Sequence, residues 1–463
     1  MIVGIIIIKS MLTKFFNKFL EYSVYLIVFL LPIQTRLFLR SGEIGGRYSE
    51  YLTISLYGID LLLFGVLILY LFDLKNKAIK IQINSFFSFT VVMGALEFVY
   101  FMSIFLGDDR SLAFYTYTKF LLAIGLFWLI VKVNYKNFIL LWSLVAGLFF
   151  QASLGIWQFL NQSSFAMKWL GMAEHIPFEG GTAVIEVLGE DGLWQRWLRS
   201  YGGLDHPNVY GGFLSLGFLV VLLALVRRAK SDYRDYDNQG EQKNNAIKQE
   251  YLIMGFLCFL FAAIFFSFSR AAFLSFFVGI FGMLLLAIYR KDWLTQLNIL
   301  KIILFSGVIF FVLYLNFGDL LSVRLEGEAR LEKMSNLERV ESYKIAQGLI
   351  RDDWFLGVGA GNYIPTFQKN FPDKPGWYYQ PVHNVFLLAW SEIGIIGLLL
   401  FIAILQLVLR EILQQSKQHD YAAYKIPILF SLIVLMLFDH WLWSLHFGVI
   451  FFWFVLGFLY SNK

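Results

Sequence analysis

Residues 385–409 read VFLLAWSEIGIIGLLLFIAILQLVL, twenty-five positions with one charged side chain, Glu392. A helix rises ~1.5 Å per residue and the hydrocarbon core of a bilayer is ~30 Å thick, so this run is long enough to cross. Comparable runs at 19–34, 51–72, 83–106, 111–131, 138–160, 209–226, 251–268, 271–289, 297–317, 426–438 and 447–460 bring the reading to twelve spans. The last two are short, and Asp439, His440 and His446 interrupt them, so they read as full crossings, as a tight hairpin or as a re-entrant element. Composition agrees: 58% of the 463 residues are hydrophobic and 15% charged, against roughly 25% charged in a soluble domain. A soluble enzyme is excluded, and the expected class is an all-α polytopic membrane protein.

The single cysteine, Cys258, removes intrachain disulfides and cysteine-based zinc sites together. The net charge of +5 points to no nucleic-acid partner, because basic residues in a membrane protein first report topology. Lys9, Lys14 and Lys18 precede the first span. Lys75, Lys77 and Lys80 follow the second, Lys132 and Lys136 the fourth, Arg227, Arg228, Lys230 and Arg234 the sixth, and Arg290 with Lys291 the eighth. Every second connection is basic, which puts both termini in the cytoplasm; Arg36, Arg40 and Arg47 in the first outward loop run against the pattern. Residues 2–8 are too short for a signal-peptide core and read as an uncleaved leader, and 227–250 reads as a polar linker.

The chain therefore divides into residues 1–317, carrying nine spans and an outward loop at 161–208, a large outward loop at 318–383, and three spans in 384–463. Loops of this length are usually functional when ordered. In the larger one, Ser335 and Glu338 form a capping-box pattern, and the helix expected over 336–350 sets Arg339, Tyr343 and Gln347 on one face. The following GVGAGNY at 357–363 has neither a preceding strand nor a clear following helix, so it reads as a turn needing positive φ and not as a nucleotide fingerprint.

Chemistry gathers at the outward ends. His383, beside Asn384 at the mouth of the tenth span, suits a general base, an imidazole being able to accept a hydroxyl proton near neutral pH; the plain alternative is a helix-capping histidine. Arg339 and Arg270, the latter in SFSRAAF, can hold phosphate oxygens through paired N–H groups, or else be a solvated charge and a snorkelling one. Arg199, Asp205, His206 and Asn208 cluster in WLRSYGGLDHPNVYGG. Six scattered histidines offer no metal-site spacing, so no metal or cofactor is expected. Within the spans Asp60, Glu97, Lys119 and Lys301 need partners; Glu97 and Lys119 are expected to neutralise each other, and Glu392 to be paired inside the bundle.

In this order, LRSYGGLDHPNVYGG, SFSRAAF, the loop with Arg339 ahead of DDWFLGVGAGNY, and HNVFLLAWSEIGIIG resemble the O-antigen ligase and polymerase family of bacterial membrane glycosyltransferases. The resemblance covers residues 199–397. It implies a GT-C-type fold, a polyprenyl-diphosphate-linked glycan donor and metal-independent transfer at the outer face of the inner membrane. By matching motifs, Arg270 and Arg339 hold the diphosphate and His383 activates the acceptor hydroxyl, with Arg199, His206, Asn208, Tyr343 and Asn384 supporting or binding substrate. Lys369, Lys374 and Trp377 depart from the family loop, and the acceptor stays open among lipid, polysaccharide and protein. A repeat-unit polymerase is the same-class alternative. A flippase is the different-class one, although transporters gather their sites at the midplane and these residues gather at one face.

Overall fold

The computed structural model describes residues 2–75, 85–189, 192–234, 240–327 and 329–462; Lys77 and Lys80 lie outside them. Apolar composition makes long helices the default in every span, and the two prolines in the expected spans stand at helix ends, Pro32 just past Leu30 and Pro427 in the first turn of Lys425–Phe438. The elements are α1 (Ile2–Leu30), β1 (Arg36–Arg40), β2 (Glu43–Ile44), β3 (Arg47–Tyr48), β4 (Ile54–Tyr57), α2 (Gly58–Lys75), α3 (Ser85–Ser103), α4 (Arg110–Lys132) and α5 (Asn137–Asn161). Then come β5 (Val184–Leu188), β6 (Trp194–Leu198), α6 (Pro207–Arg234), α7 (Gly240–Ser267), α8 (Arg270–Tyr289), α9 (Trp293–Glu326) and α10 (Arg330–Asp352). α11 (Tyr363–Asn370), α12 (Val385–Gln415), α13 (Lys425–Phe438), α14 (Trp441–Ser444) and α15 (His446–Tyr460) complete the chain.

Helices occupy all twelve expected span positions. Among the described residues eight are long and apolar enough to cross a membrane, while Gly58–Phe72, Ser88–Ser103 and His446–Tyr460 are apolar but shorter. α6 forms the axis, buried along nearly its whole apolar length. Three expectations are corrected. The second span starts at Gly58, because 54–57 pair as β4 with β1 and give a two-stranded ribbon. The expected linker at 227–250 is helical as far as Arg234 and again from Gly240, with 235–239 outside the described residues. The loop helix begins at Arg330, capped at Ala329, so Ser335 sits inside it and caps nothing.

Because the helices alternate in direction, their connections sort to two ends. At one end the loops touch: Arg40 pairs with Asp109 at 2.7 Å, the Asp109 N–H donates to Asn362 Oδ1 at 2.7 Å, and the Ser200 N–H donates to the Phe266 carbonyl at 3.1 Å. Arg36, one of the three arginines that broke the basic-loop pattern, is bound there to Glu50 at 2.6 Å. Basic connections meet at the other end, where Arg290 pairs with Asp420 at 3.3 Å.

α12 is broken at Gly394, whose φ of +65° and ψ of −176° leave helical space. The freed carbonyls of Ser391 and Glu392 accept from the Val358 and Gly359 N–H groups at 2.8 and 2.9 Å, and the Ile395 N–H donates to the Trp354 carbonyl at 3.0 Å. GVGAGNY is thus a turn, with Gly357, Gly359 and Gly361 at φ of +74°, +98° and +73°, and it plugs the break. Irregular backbone at membrane depth is tolerated only where protein satisfies it in this way. A short helix, α11, does follow the turn, against expectation. A β-carbon at Gly394 would run into the Phe355 carbonyl and also demand a disfavoured φ. Gly394→Ala is therefore expected to cost about 2 kcal/mol or more, read as a lowered unfolding midpoint in detergent, whereas Gly65→Ala, with open space around it, leaves the midpoint in place.

Candidate active site

Asp439 follows α13, where the chain turns between two helices and the apolar run must end. Its carboxylate is buried at 4% exposure. Asn208 Nδ2, at the start of α6, donates to Oδ2 at 2.9 Å, and the His440 N–H donates to Oδ1 at 2.8 Å. His383 Nδ1 stands 3.6 Å from Oδ1, an ion-pair distance just beyond hydrogen bonding. Burial would raise the Asp439 pKa, but the imidazole of His383 beside it, with His440 and His206 around it, holds the carboxyl well below the usual carboxylate range.

Behind Asp439 stands a second row. Arg199, 4% exposed, donates from Nη2 to Asn208 Oδ1 at 2.9 Å and from Nε to the Ser267 carbonyl at 2.8 Å. Its guanidinium is spent on the scaffold, which makes Arg199 and Asn208 supports of Asp439. His206 Nδ1 accepts from the Asn208 N–H at 3.1 Å, and burial, reinforced by Arg199, pushes its pKa down to about 3. Asn384 caps α12, its Oδ1 accepting from the Leu387 N–H at 3.0 Å while Nδ2 donates to the Leu437 carbonyl at 3.1 Å. Tyr343 is half-buried and packs on the core.

The cations face this cluster from α8 and α10. Arg270, the first residue of α8, donates from Nη2 to Asn336 Oδ1 at 3.1 Å and lies 3.5 Å from Glu332 Oε2. Glu332 is shared with buried Arg324, which also donates to the Phe268 carbonyl at 3.0 Å. Arg339 stands one helical turn beyond Asn336, and its charge acts on both Arg270 and His440. His440 in turn lies with its ring centroid 5.0 Å from that of His383. Arg270, Arg339 and His383 thus belong to one connected cluster at the looped end of the bundle. Three buried polar atoms there, Arg339 Nε, His383 Nδ1 and Glu332 Oε2, have no hydrogen-bond partner. Orphaned buried groups cost free energy; His383 Nδ1 and Glu332 Oε2 keep ion-pair contacts at 3.6 and 3.5 Å, while Arg339 Nε has none among the described residues.

His383, Asp439 and His440 place their ligand atoms within 4.8 Å of one another, the one grouping of metal-ligating residues found among the described residues. Zinc held at ~2.0–2.2 Å needs its ligand atoms within about 4.4 Å of each other, and His440 Nδ1 is already engaged with Ser444 Oγ at 2.7 Å. The grouping would have to contract to hold such an ion.

Sequence reasoning missed Asp439 and His440 as site residues; they registered only as an interruption of an apolar run. It also missed Arg324 and Glu332, which carry no local pattern. The expected Glu97–Lys119 pair does not form. Lys119 points into a buried polar cavity of about 40 Å³ that it lines together with Glu392, and Trp443 Nε1 donates to Glu392 Oε2 at 2.8 Å. Asp60 instead meets His446 Nε2 at 2.7 Å, and Lys301 meets Glu250 at 3.2 Å.

Bundle and cluster together define a multi-pass membrane protein with a cationic, histidine-bearing site at one end. Residues 255–402 match the family described as O-Antigen ligase. Arg270, Arg339 and His383 lie inside the match; Arg199, Asn208 and Asp439 lie outside it. No curated protein matches the chain. The match supports membrane glycosyl transfer of the ligase or polymerase type. If Asp439 orients the histidine, Asp439→Asn lowers kcat by about 10²- to 10⁴-fold and leaves the donor KM nearly unchanged, as steady-state transfer assays would read; an equal rise in KM would place Asp439 in donor binding.

Proposed function

We propose that this protein transfers an oligo- or polysaccharide from a polyprenyl-diphosphate carrier to an acceptor hydroxyl, without a metal, at the outer face of the bacterial inner membrane. The observation that carries the reading is the meeting of two guanidiniums and one imidazole around orphaned buried polar atoms, inside the segment that matches the family. Basic connections at the far end support cytoplasmic termini and an outward site. On this reading residues 1–317 and 384–463 are the membrane parts of a GT-C-type fold, and 318–383 is the outward loop that carries Arg339.

With Nδ1 turned toward Asp439, His383 leaves Nε2 to face the acceptor. The acceptor oxygen attacks the anomeric carbon as Nε2 takes its proton. The bond from that carbon to the phosphate oxygen breaks, and its electron pair stays on the diphosphate. One added negative charge develops there, where Arg270 and Arg339 stabilise it more strongly than in the ground state. Direct displacement inverts the anomeric centre, and the imidazolium formed is stabilised by the Asp439 carboxylate.

In vesicles given a polyprenyl-diphosphate oligosaccharide and acceptor, His383→Ala is expected to lower transfer about 10²- to 10⁴-fold. Arg270→Ala and Arg339→Ala are each expected to lower it about 10²- to 10³-fold, with insertion unchanged; full activity in all three variants removes the assignment. The product separates the alternatives. Ligation moves the glycan to a new molecule, whether lipid, polysaccharide or protein; polymerisation lengthens it on its carrier; and translocation without a new glycosidic bond marks a flippase. A chelator should leave the rate unchanged, and a loss restored by added zinc would instead assign His383, Asp439 and His440 as metal ligands.

A further inference from the structure

At the opposite end of the bundle a groove of about 1100 Å³ opens between α5 and α7, with α6 and α15 as its floor. That is slightly beyond the ~300–1,000 Å³ of ordinary small-ligand sites. The site and the groove share α6: Asn208 stands at its site end, and Val220 to Arg227 line the groove. Nineteen residues at ~1.5 Å each put Arg227 roughly 28 Å from Asn208, close to the thickness of a bilayer core. The groove therefore lies in the leaflet away from the site, and the reaction proposed above does not use it.

Its walls are apolar and face sideways. Phe138, Trp142 and Phe149 on α5, with Tyr251 and Leu252 on α7, are 42–61% exposed while lining it. Its rim is basic. Arg227 is exposed, with its guanidinium 4.7 Å above the Tyr421 ring, and exposed Lys136 and Lys248 flank the lining residues Asn137 and Gln249. Among the described residues the acids near this rim have partners: Glu250 with Lys301 at 3.2 Å, Asp420 with Arg290 at 3.3 Å, and Glu411, which accepts from Gln415 Nε2 at 3.2 Å. Lys425 lies deeper and is satisfied by Gln415 Oε1 and the Leu459 and Ser461 carbonyls at 2.6–3.2 Å.

We infer that this groove is a binding site for a two-chain anionic phospholipid of the leaflet away from the site, with its acyl chains between α5 and α7 and its phosphodiester at Arg227, Lys136 and Lys248. Three cations at the rim favour a headgroup of net negative charge over a zwitterionic one.

Native mass spectrometry of the full chain released from nanodiscs tests this without any catalytic readout. In mixed phosphatidylglycerol and phosphatidylcholine, phosphatidylglycerol is expected to be retained selectively. Arg227→Ala is expected to cut that selectivity about fivefold, with Lys136→Ala as the substitute should Arg227→Ala fail to fold. Gly255 lines the groove and has nothing within 4 Å of where a β-carbon would sit, so Gly255→Leu fills the groove without a clash and should abolish retention of either lipid. Equal retention of both lipids, selectivity unmoved by the rim variant, or retention undiminished by Gly255→Leu overturns the inference. So does a groove-dependent adduct with the mass of a polyprenyl phosphate.

Discussion

A carboxylate that closes a helix at the edge of a bilayer must be charged and paired or neutral and costly. Asp439 takes the first course, and the geometry of the site follows from it. Its two oxygens are engaged or approached by Asn208 from α6, by the His440 N–H, and by His383 ahead of α12. The three segments are far apart in sequence, yet each contributes the group that keeps this buried charge solvated by protein. Because α6 is enclosed by its neighbours, Asn208 has little freedom, and neither has anything attached through it. Arg199 extends the same logic outward: bound to Asn208 and to the Ser267 carbonyl, it fixes the connection that leads into Arg270.

The break in α12 performs the matching task for the large loop. At Gly394 the helix gives up its own hydrogen bonds and the segment 354–359 takes them over. The same glycine turn rests against the α3–α4 connection, where the Ala360 N–H donates to Ser103 Oγ at 3.2 Å and the Asp109 N–H to Asn362 Oδ1 at 2.7 Å. α10 therefore hangs from a segment anchored in two parts of the bundle, and Arg339 is carried by a positioned element. Guanidiniums that are already in place cost no reorganisation when charge develops on a leaving group, which is where preorganisation contributes most.

The sequence made legible what hydropathy and local chemistry encode. Helices lie at the apolar runs, eight of them among the described residues long and apolar enough to cross, because in lipid a backbone has few other ways to satisfy itself. Arg270, Arg339 and His383 stood out since charge at the membrane edge is expensive. What stayed hidden was long-range. Asp439 read as an interruption because its partners are 231 residues away at Asn208 and 56 away at His383. Lys119 turned from Glu97 toward the cavity it shares with Glu392 because helix rotation is set by packing, which no single span reveals. Ser335 had the right spacing for a cap, yet Arg330 pairs with Glu186 of β5 at 3.0 Å and Glu332 meets Arg324, and these tertiary contacts carry the helix back past it.

The charges of the site also bear on its ligand. Arg199, Arg270, Arg324 and Arg339 are held together against the carboxylates of Glu332 and Asp439, four guanidiniums to two buried acids. Arg199 and Arg324 are consumed by backbone carbonyls and buried partners, so the uncompensated charge falls on the two that stay reachable. Glu332 keeps Arg270 from relaxing toward solvent, yet at 3.5 Å it is not a hydrogen-bond partner, and its Oε2 is left unsatisfied. On the proposed function, an incoming diphosphate competes with that weak pairing and not with a strong one. A neutral sugar alone would leave the two cations facing each other in a partly buried setting, where like charges repel. On the proposed function, the charged diphosphate of the donor relieves that repulsion, which a neutral group could not do.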